Sequence, residues 1–403
     1  MTVPGSVVIV GGGLAGFTLA QSLRQGGYEQ TITLIDQEGL PYDRPPLSKA
    51  YLMGNVTAES LLFQPESWYA ENDIDLVVDR VVAVRPGTGR VELASGPDVV
   101  ADAVVLATGG HARQLPVPGG DLPGLHVMRT KADSNGLKAV LGPGVHLAIL
   151  GPGTIGAEVA SAAHHLGCQV SIVGRSPLPL VGLVGRTLAR RLHNMHAEHG
   201  VSFQLAQTSA ITFDGSNYTV VPSDGPALVA DQVLVAVGLD ANTELAQGAG
   251  LEIDRGIIVD PSQRTSNPAV YAIGDAARIR QPNGALGGRH EHWAAAMADA
   301  QIAAAAILEH ELPPRPISWM WSDRYGVHLE AIGSMESGEE VVRIVDGLPK
   351  ASFAVDTDGR LLGAASIDDG NLIRSVRRLM EKGVVVPREQ LADPSVNLKK
   401  LTH

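Results

Sequence analysis

Glycines 11, 13 and 16, and again 151, 153 and 156, have the spacing to hold the pyrophosphates of two dinucleotides. The first run reads Val7-Val8-Ile9-Val10-Gly11-Gly12-Gly13-Leu14-Ala15-Gly16 and the second Leu147-Ala148-Ile149-Leu150-Gly151-Pro152-Gly153-Thr154-Ile155-Gly156. Each is a short apolar strand, a G-x-G-x-x-G turn and the beginning of a helix. In such a unit the first glycine permits the tight turn, the second lets the backbone approach a phosphate, and the third lets helix and strand pack closely. The helix N-terminus adds free N–H groups and the positive end of a dipole. Two such seats in one chain suggest two dinucleotides meeting face to face, with electrons passing between them.

Carboxylates separate the two seats. Asp36 follows Gly16 by 20 residues, where an acid would bind a ribose diol. The matching position of the second unit is Gly174, followed by Arg175 and Ser176. An acid there would favour a free 2′-hydroxyl, whereas an arginine can accept a 2′-phosphate. The second seat thus leans towards NADPH or towards weak discrimination, with a solvated turn arginine as the alternative. Asp275, in a Gly274-Asp275 turn at another strand end, could bond a flavin ribityl hydroxyl. The first seat would then take FAD and the second NADH or NADPH. The single cysteine, Cys168, excludes an internal dithiol relay. It stands just before the apolar run Val170-Ile172-Val173 and reads as a small buried hydrophobe. No metal site is expected.

These residues need strands and helices to position them. Strand 7–10 leads through the turn to a helix over about 15–25, ended by Gly26-Gly27. Strand 32–35 ends at Asp36, a proline-rich loop covers 41–47, and strand 103–107 runs into Thr108-Gly109-Gly110. The plan then repeats: strand 147–150, a helix over about 155–166 capped by Gly167, strand 170–173, and strand 232–236 ending at Val237-Gly238. Segment 270–275 is a further strand with no fingerprint of its own and returns to the first domain, which makes the second an insertion. An alanine-rich amphipathic helix is expected over 293–309, and Pro313, Pro314 and Pro316 mark a linker. Beyond it, alternation at 328–332, 341–345 and 351–355, with a helix near 370–382, indicates a small α+β domain. The expected architecture is α/β: two doubly wound Rossmann-like domains, 1–112 with 239–316 and an inserted 113–238, plus a C-terminal domain over 317–403. A length of 403 residues suits two or three domains. A net charge of −12 argues against nucleic acid as a partner. No apolar run is long enough to span a bilayer. The N-terminus shows no leader, so a cytoplasmic protein is expected.

Arg44-Pro45-Pro46-Leu47-Ser48-Lys49 resembles the R-P-P-L-S-K signature of FAD-dependent ferredoxin reductases. These are reductase components of bacterial aromatic-ring dioxygenases and cytochrome monooxygenases, with putidaredoxin reductase and rubredoxin reductase as relatives. Ala107-Thr108-Gly109, Gly153-Thr154-Ile155-Gly156-Ala157-Glu158, Asn242-Thr243-Glu244-Leu245 and Tyr271-Ala272-Ile273-Gly274-Asp275 also match, as do Glu291-His292-Trp293 and Trp319-Met320-Trp321-Ser322-Asp323. The matches run in family order from about residue 7 to 326. The hexapeptide and the Trp-x-Trp-Ser-Asp element are the specific ones, because many flavoproteins share the glycine motifs.

The resemblance implies roles. Lys49 would stand near the flavin N5, paired with Glu158, and Trp321 would pack beside the isoalloxazine. Arg44, Val82, Arg129 and Asp275 would contribute to the flavin site, and Glu291 would bond the nicotinamide amide beside His292 and Trp293. A hydride would pass from NAD(P)H to FAD, and electrons would leave singly to an iron–sulfur ferredoxin. Such a partner is usually acidic, so a local basic patch is expected from Arg374, Arg377 and Arg378, with Arg324 and Arg289 as further candidates. The chain departs from the family at Gly174-Arg175, where relatives usually carry an acid. It departs again at Asp36-Gln37, where they often carry Gly-Asp, so that Glu38 is also a candidate ribose ligand, and at Ala241, where proline is usual. Two other classes share the fingerprints. NAD(P)H oxidases, peroxidases and disulfide reductases use a cysteine that this first domain lacks. Redox-sensing flavoproteins of the apoptosis-inducing-factor type need no catalytic turnover. Monomer and homodimer both remain open.

Overall fold

A computed structural model describes residues 2–289 and 291–402. The chain divides into two compact units, Met1–Asp43 with Ala58–His111 and Leu239–Pro316, and Arg44–Thr57 with Ala112–Gly238 and Ile317–His403.

The first unit is built on a parallel sheet in the order Val270–Ala272, Ala103–Leu106, Ser6–Val10, Thr31–Ile35, Ile74–Val77. Side chains of a strand alternate between faces, and both faces here are covered, so the strands read as continuous apolar runs. Val7 and Ile9 pack under the helices Leu14–Gln25 and Trp293–Ile307. Val8 and Val10 meet Val84 and Val91 of an antiparallel ribbon on the other face. The strand Val270–Ala272 pairs directly with Ala103–Leu106, although residues 112–238 separate them in sequence.

The helix Trp293–Ile307 differs from the amphipathic expectation. Buried residues occur all round it, from Ala296 and Asp299 to Ala303, Ala306 and Ile307. Its alanines are small enough for sheet and neighbouring helix to close on several sides at once. Asp299, its one charged residue, is buried with them.

In the second unit, the strands Ser202–Leu205, Gln169–Gly174, His146–Leu150 and Gln232–Val235 form a parallel sheet. A C-terminal five-stranded antiparallel sheet runs Trp319–Arg324, Val327–Gly333, Leu361–Ile367, Leu348–Val355, Glu339–Val345. Its alternation is visible in one strand. Ile332 faces Ile373, Val376 and Leu379 of the helix Gly370–Glu381, while Leu329 and Ala331 face Val184, Leu188 and Leu192 of the helix Val181–Glu198. Through that second face, residues 317–403 cluster with 112–238 in one compact unit. The segment 44–57 also belongs to this unit. The Arg44 guanidinium donates to the Arg129 carbonyl at 2.7 Å, Ser134 to the Leu47 carbonyl at 2.8 Å, and the Tyr51 hydroxyl to Asn135 at 2.8 Å.

Candidate functional site

The two fingerprints have one geometry. Gly11 has φ +108°, and a Cβ there would lie 2.3 Å from the Ala107 carbonyl oxygen; Gly151 has φ +115°, with the Ala236 oxygen at 2.2 Å. Only glycine suits such positions. A Cβ at Gly16 would strike the Gly11 oxygen at 1.9 Å, and one at Gly156 the Gly151 oxygen at 2.0 Å. Gly13 and Gly153, by contrast, face open space with nothing within 4 Å. They cap the helices Leu14–Gln25 and Thr154–His165, and among the described residues no side-chain cap takes up the free N–H groups. An open glycine over unsatisfied helix donors, next to Leu14 and Ala15 in one unit and Thr154 and Ile155 in the other, fits a pyrophosphate.

Around the first seat, Asp36 accepts from the Gly12 N–H at 2.5 Å and from the Glu38 N–H at 2.6 Å. Its carboxylate is thereby held against the fingerprint. Gln37 is exposed, and Glu38 accepts from the Tyr42 hydroxyl at 2.6 Å. Of the three candidate ribose ligands, Asp36 is the one aimed at the seat. Thr108 and Gly109 are pinned by Asn242, which donates to the Thr108 carbonyl at 2.8 Å and whose own N–H reaches Gly109. The Gly274-Asp275 turn also arrives here, since a Cβ on Gly274 (φ +68°) would lie 3.0 Å from the Ala15 Cβ. Sequence reasoning missed its support. Buried Asp299 accepts from the Gly274 N–H at 3.0 Å and pairs with Arg315 at 2.7 Å. Glu291 pairs with Arg289 at 2.6 Å, His292 precedes the helix Trp293–Ile307, and the Trp293 indole donates to Asp43 at 3.0 Å. Val82 is exposed in the ribbon, at a bulge between Val81 and Ala83.

Around the second seat, Val237 and Gly238 follow the strand Gln232–Val235, as Thr108 and Gly109 follow Ala103–Leu106. Gly174 is buried at its strand end and Arg175 is exposed.

The second unit holds a further cluster. Glu158, on the helix Thr154–His165 and 4% exposed, accepts from Ser48 at 2.5 Å and from Ser322 at 2.7 Å. Lys49 lies 3.6 Å from Glu158, as the resemblance implies, but is nearer to Asp323, at 3.0 Å. Asp323 also accepts from His328 at 2.6 Å, its register partner in the adjacent strand. Burial pushes the Asp323 carboxyl up, but His328 and Lys49 outweigh it and hold it below the ordinary carboxylate range. The Lys49 ammonium sits 5.4 Å above the Trp321 ring, and Trp321 stacks on Trp319 at 5.1 Å. The partners Ser48, Ser322 and Asp323 lie inside the two specific motifs; only their roles escaped sequence reasoning.

Two arginines expected in a surface patch are elsewhere. Arg324 is 4% exposed, because strand alternation puts it on the face of fully buried Ser322, to which it donates at 3.2 Å. Burial draws its guanidinium below its ordinary value, while the Glu158 charge opposes the shift. Arg289 is spent on Glu291 and the Leu239 carbonyl. On the helix Gly370–Glu381, Arg374 and Arg378 are exposed, whereas Arg377 is half-buried over the Trp319 ring. Cys168 is buried, and burial raises its thiol pKa.

Two parallel α/β sheets, each ending in a glycine turn that fits a pyrophosphate, are the plan of an oxidoreductase of the two-dinucleotide class. The chain belongs to the pyridine nucleotide-disulphide oxidoreductase family, which matches residues 5–300, and residues 319–402 match the Reductase C-terminal family. It is 37% identical over 402 residues to the ferredoxin–NAD(+) reductase subunit of a benzene 1,2-dioxygenase system from Pseudomonas putida, covering 98% of this chain and 97% of that one. It is 34% identical to rhodocoxin reductase of Rhodococcus erythropolis, covering 98% and 93%. Putidaredoxin reductase, in a covalent complex with putidaredoxin, superposes with a TM-score of 0.91 at 31% identity, covering 98% of each chain. Among the described residues, no helix is long and apolar enough to cross a membrane.

Proposed function

We propose that the protein is the flavoprotein reductase of an oxygenase system, carrying electrons from NAD(P)H to an iron–sulfur ferredoxin in the cytoplasm, as a monomer or homodimer. The observation that carries this reading is similarity to a ferredoxin–NAD(+) reductase subunit along the whole chain, in a sequence whose one cysteine is buried. A dithiol route is thereby closed, and electrons must leave without a thiol. Bound FAD would supply a two-electron acceptor able to release electrons one at a time.

The protein's part is orientation and charge. Gly11, Gly13 and Gly16 seat the FAD pyrophosphate, Asp36 takes the ribose diol, and Asp275 takes the ribityl chain. Lys49 presents a positive charge that favours the reduced cofactor, an effect that strengthens in a dry site. Ser48, Glu158, Ser322 and Asp323 hold that ammonium in place, and Trp321 shields it from water. The second seat binds the coenzyme, with Arg175 turning its preference towards NADPH.

Mixing the yellow protein with NADH or NADPH and following the flavin band tests the reading. Fast bleaching, with cytochrome c reduction that requires added ferredoxin, is the expected outcome. Rapid oxygen consumption without ferredoxin would make it an oxidase. Slow bleaching with a long-lived charge-transfer band would make it a redox sensor.

A further inference from the structure

The two seats differ at the residue between their first two glycines, and the difference reaches the strand end opposite. In the first seat this residue is Gly12, whose N–H donates to Asp36 at 2.5 Å. In the second it is Pro152, which has no N–H to give. Its ring also fills the space over the strand end, since a Cβ on Gly174 would lie 2.6 Å from both Pro152 Cδ and Cγ. A carboxylate at 174 is therefore excluded twice, for want of room and for want of a donor.

We propose that Pro152 is the specificity-determining residue of the second seat, and that the seat selects a dinucleotide bearing a 2′-phosphate. The proposal rests on the reading of that seat as the coenzyme site. With Gly174 at the strand end, no carboxylate stands at that position to accept from a free ribose diol or repel a phosphate. The next residue, Arg175, is exposed and free of the carboxylate that would otherwise neutralise it. The surroundings agree: from 159 to 197 the sequence contains no Asp or Glu, while Arg175, Arg186, Arg190 and Arg191 fall within it. Arg186 and Arg190 are exposed on the helix Val181–Glu198, whereas Arg191 is engaged with the Pro349 carbonyl. Two acids do approach the helix Val181–Glu198 in space, Glu336 beside Gly182 and Glu340, which accepts from the Arg186 and Thr187 N–H groups, so the charge offered to an added phosphate is that of Arg175 at the strand end.

The test is calorimetric titration of the holoprotein with adenosine 2′,5′-bisphosphate and with 5′-AMP, which differ only in the group in question. The bisphosphate is expected to bind at least tenfold more tightly. Arg175→Ala should remove most of that margin and leave 5′-AMP unaffected. Pro152→Gly combined with Gly174→Asp should reverse the order, while Gly174→Asp alone should gain nothing for 5′-AMP. If the double variant fails to fold, Pro152→Gly combined with Gly174→Asn replaces it: its amide oxygen must improve 5′-AMP binding, no gain over Pro152→Gly alone overturns the role of Pro152, and Arg175→Ala must still cut the margin. Equal binding of the two nucleotides, with fast flavin reduction by NADH, overturns the phosphate selection and spares the coenzyme site. Failure of both to bind, with no reduction by either coenzyme, overturns the coenzyme site and this proposal together.

Discussion

Two hydroxyls donate to the two carboxylate oxygens of Glu158, Ser48 to one and Ser322 to the other, and the Lys49 ammonium adds its charge from 3.6 Å. Behind Ser322 lies Arg324, a buried guanidinium whose charge this same carboxylate stabilises. A buried cation stripped of its counter-charge costs about 3–5 kcal/mol. Glu158→Gln keeps one acceptor oxygen in place of two and removes the charge opposite Arg324, so it should lower the urea midpoint by a stability loss of that order. Glu158→Asp should recover part of it. A second buried group gives a pH signature. His196 donates or accepts at the Tyr325 hydroxyl at 2.7 Å, and burial, then Arg324 and the neighbouring His193 and His199, push it down to about 3. The unfolded chain binds that proton near pH 6.5 and the folded chain does not. Stability is therefore complete above the unfolded value and falls as pH drops towards the folded one. At pH 5 the loss from this group amounts to about 2 kcal/mol. Denaturant midpoints at pH 7 and pH 5 should draw apart less in His196→Gln than in the parent.

At the scale of elements, one charge in the helix Trp293–Ile307 supports the turn opposite the first seat. Asp299 receives the Gly274 N–H, and Arg315 neutralises it from the proline-rich segment. Asp299→Ala should release Gly274 from its left-handed conformation, swing Asp275 away from the Ala15 turn and weaken FAD retention by tenfold or more. Loss of bound flavin on dilution measures this, and unchanged retention would separate the turn from the cofactor. The fingerprints themselves were legible because strand, turn and helix are contiguous, and Gly16 and Gly156 each meet the backbone of their own turn at Gly11 and Gly151. The Asp36 and Gly174 contrast was legible for the same reason. Asp299 was not, since an acid in an alanine-rich run reads as the polar edge of an amphipathic helix until its neighbours are known. The Lys49 cluster was half legible. Its residues come from 48–49, 158 and 322–328, brought together by packing, and the Asp323–His328 contact follows from hairpin register. The burial of Arg324 could have been read from alternation, because Met320, Ser322 and Arg324 share one face of their strand while Trp319, Trp321 and Asp323 share the other.

Across the whole molecule, a net charge of −12 means that an acidic protein partner meets repulsion everywhere except at local basic patches. With Arg324 and Arg289 engaged internally and Arg377 half-buried, Arg374 and Arg378 remain as the exposed pair on the helix Gly370–Glu381. Reversing both charges should raise the apparent KM for ferredoxin by about tenfold at low salt and by less as salt screens the contact. Ferricyanide reduction should not change. Unaltered ferredoxin kinetics would remove this helix from the docking surface. A separate consequence concerns the order in which the chain is made. Val270–Ala272 completes the edge of the first unit's sheet beside Ala103–Leu106, yet it emerges only after the whole of 112–238. At ordinary translation speeds that delay is on the order of ten seconds. Throughout it the nascent chain carries an open apolar strand edge, a template for wrong pairing. It also lacks the Gly274-Asp275 turn, so the fingerprint at Gly11, almost the first structure synthesised, is among the last to become able to retain its flavin.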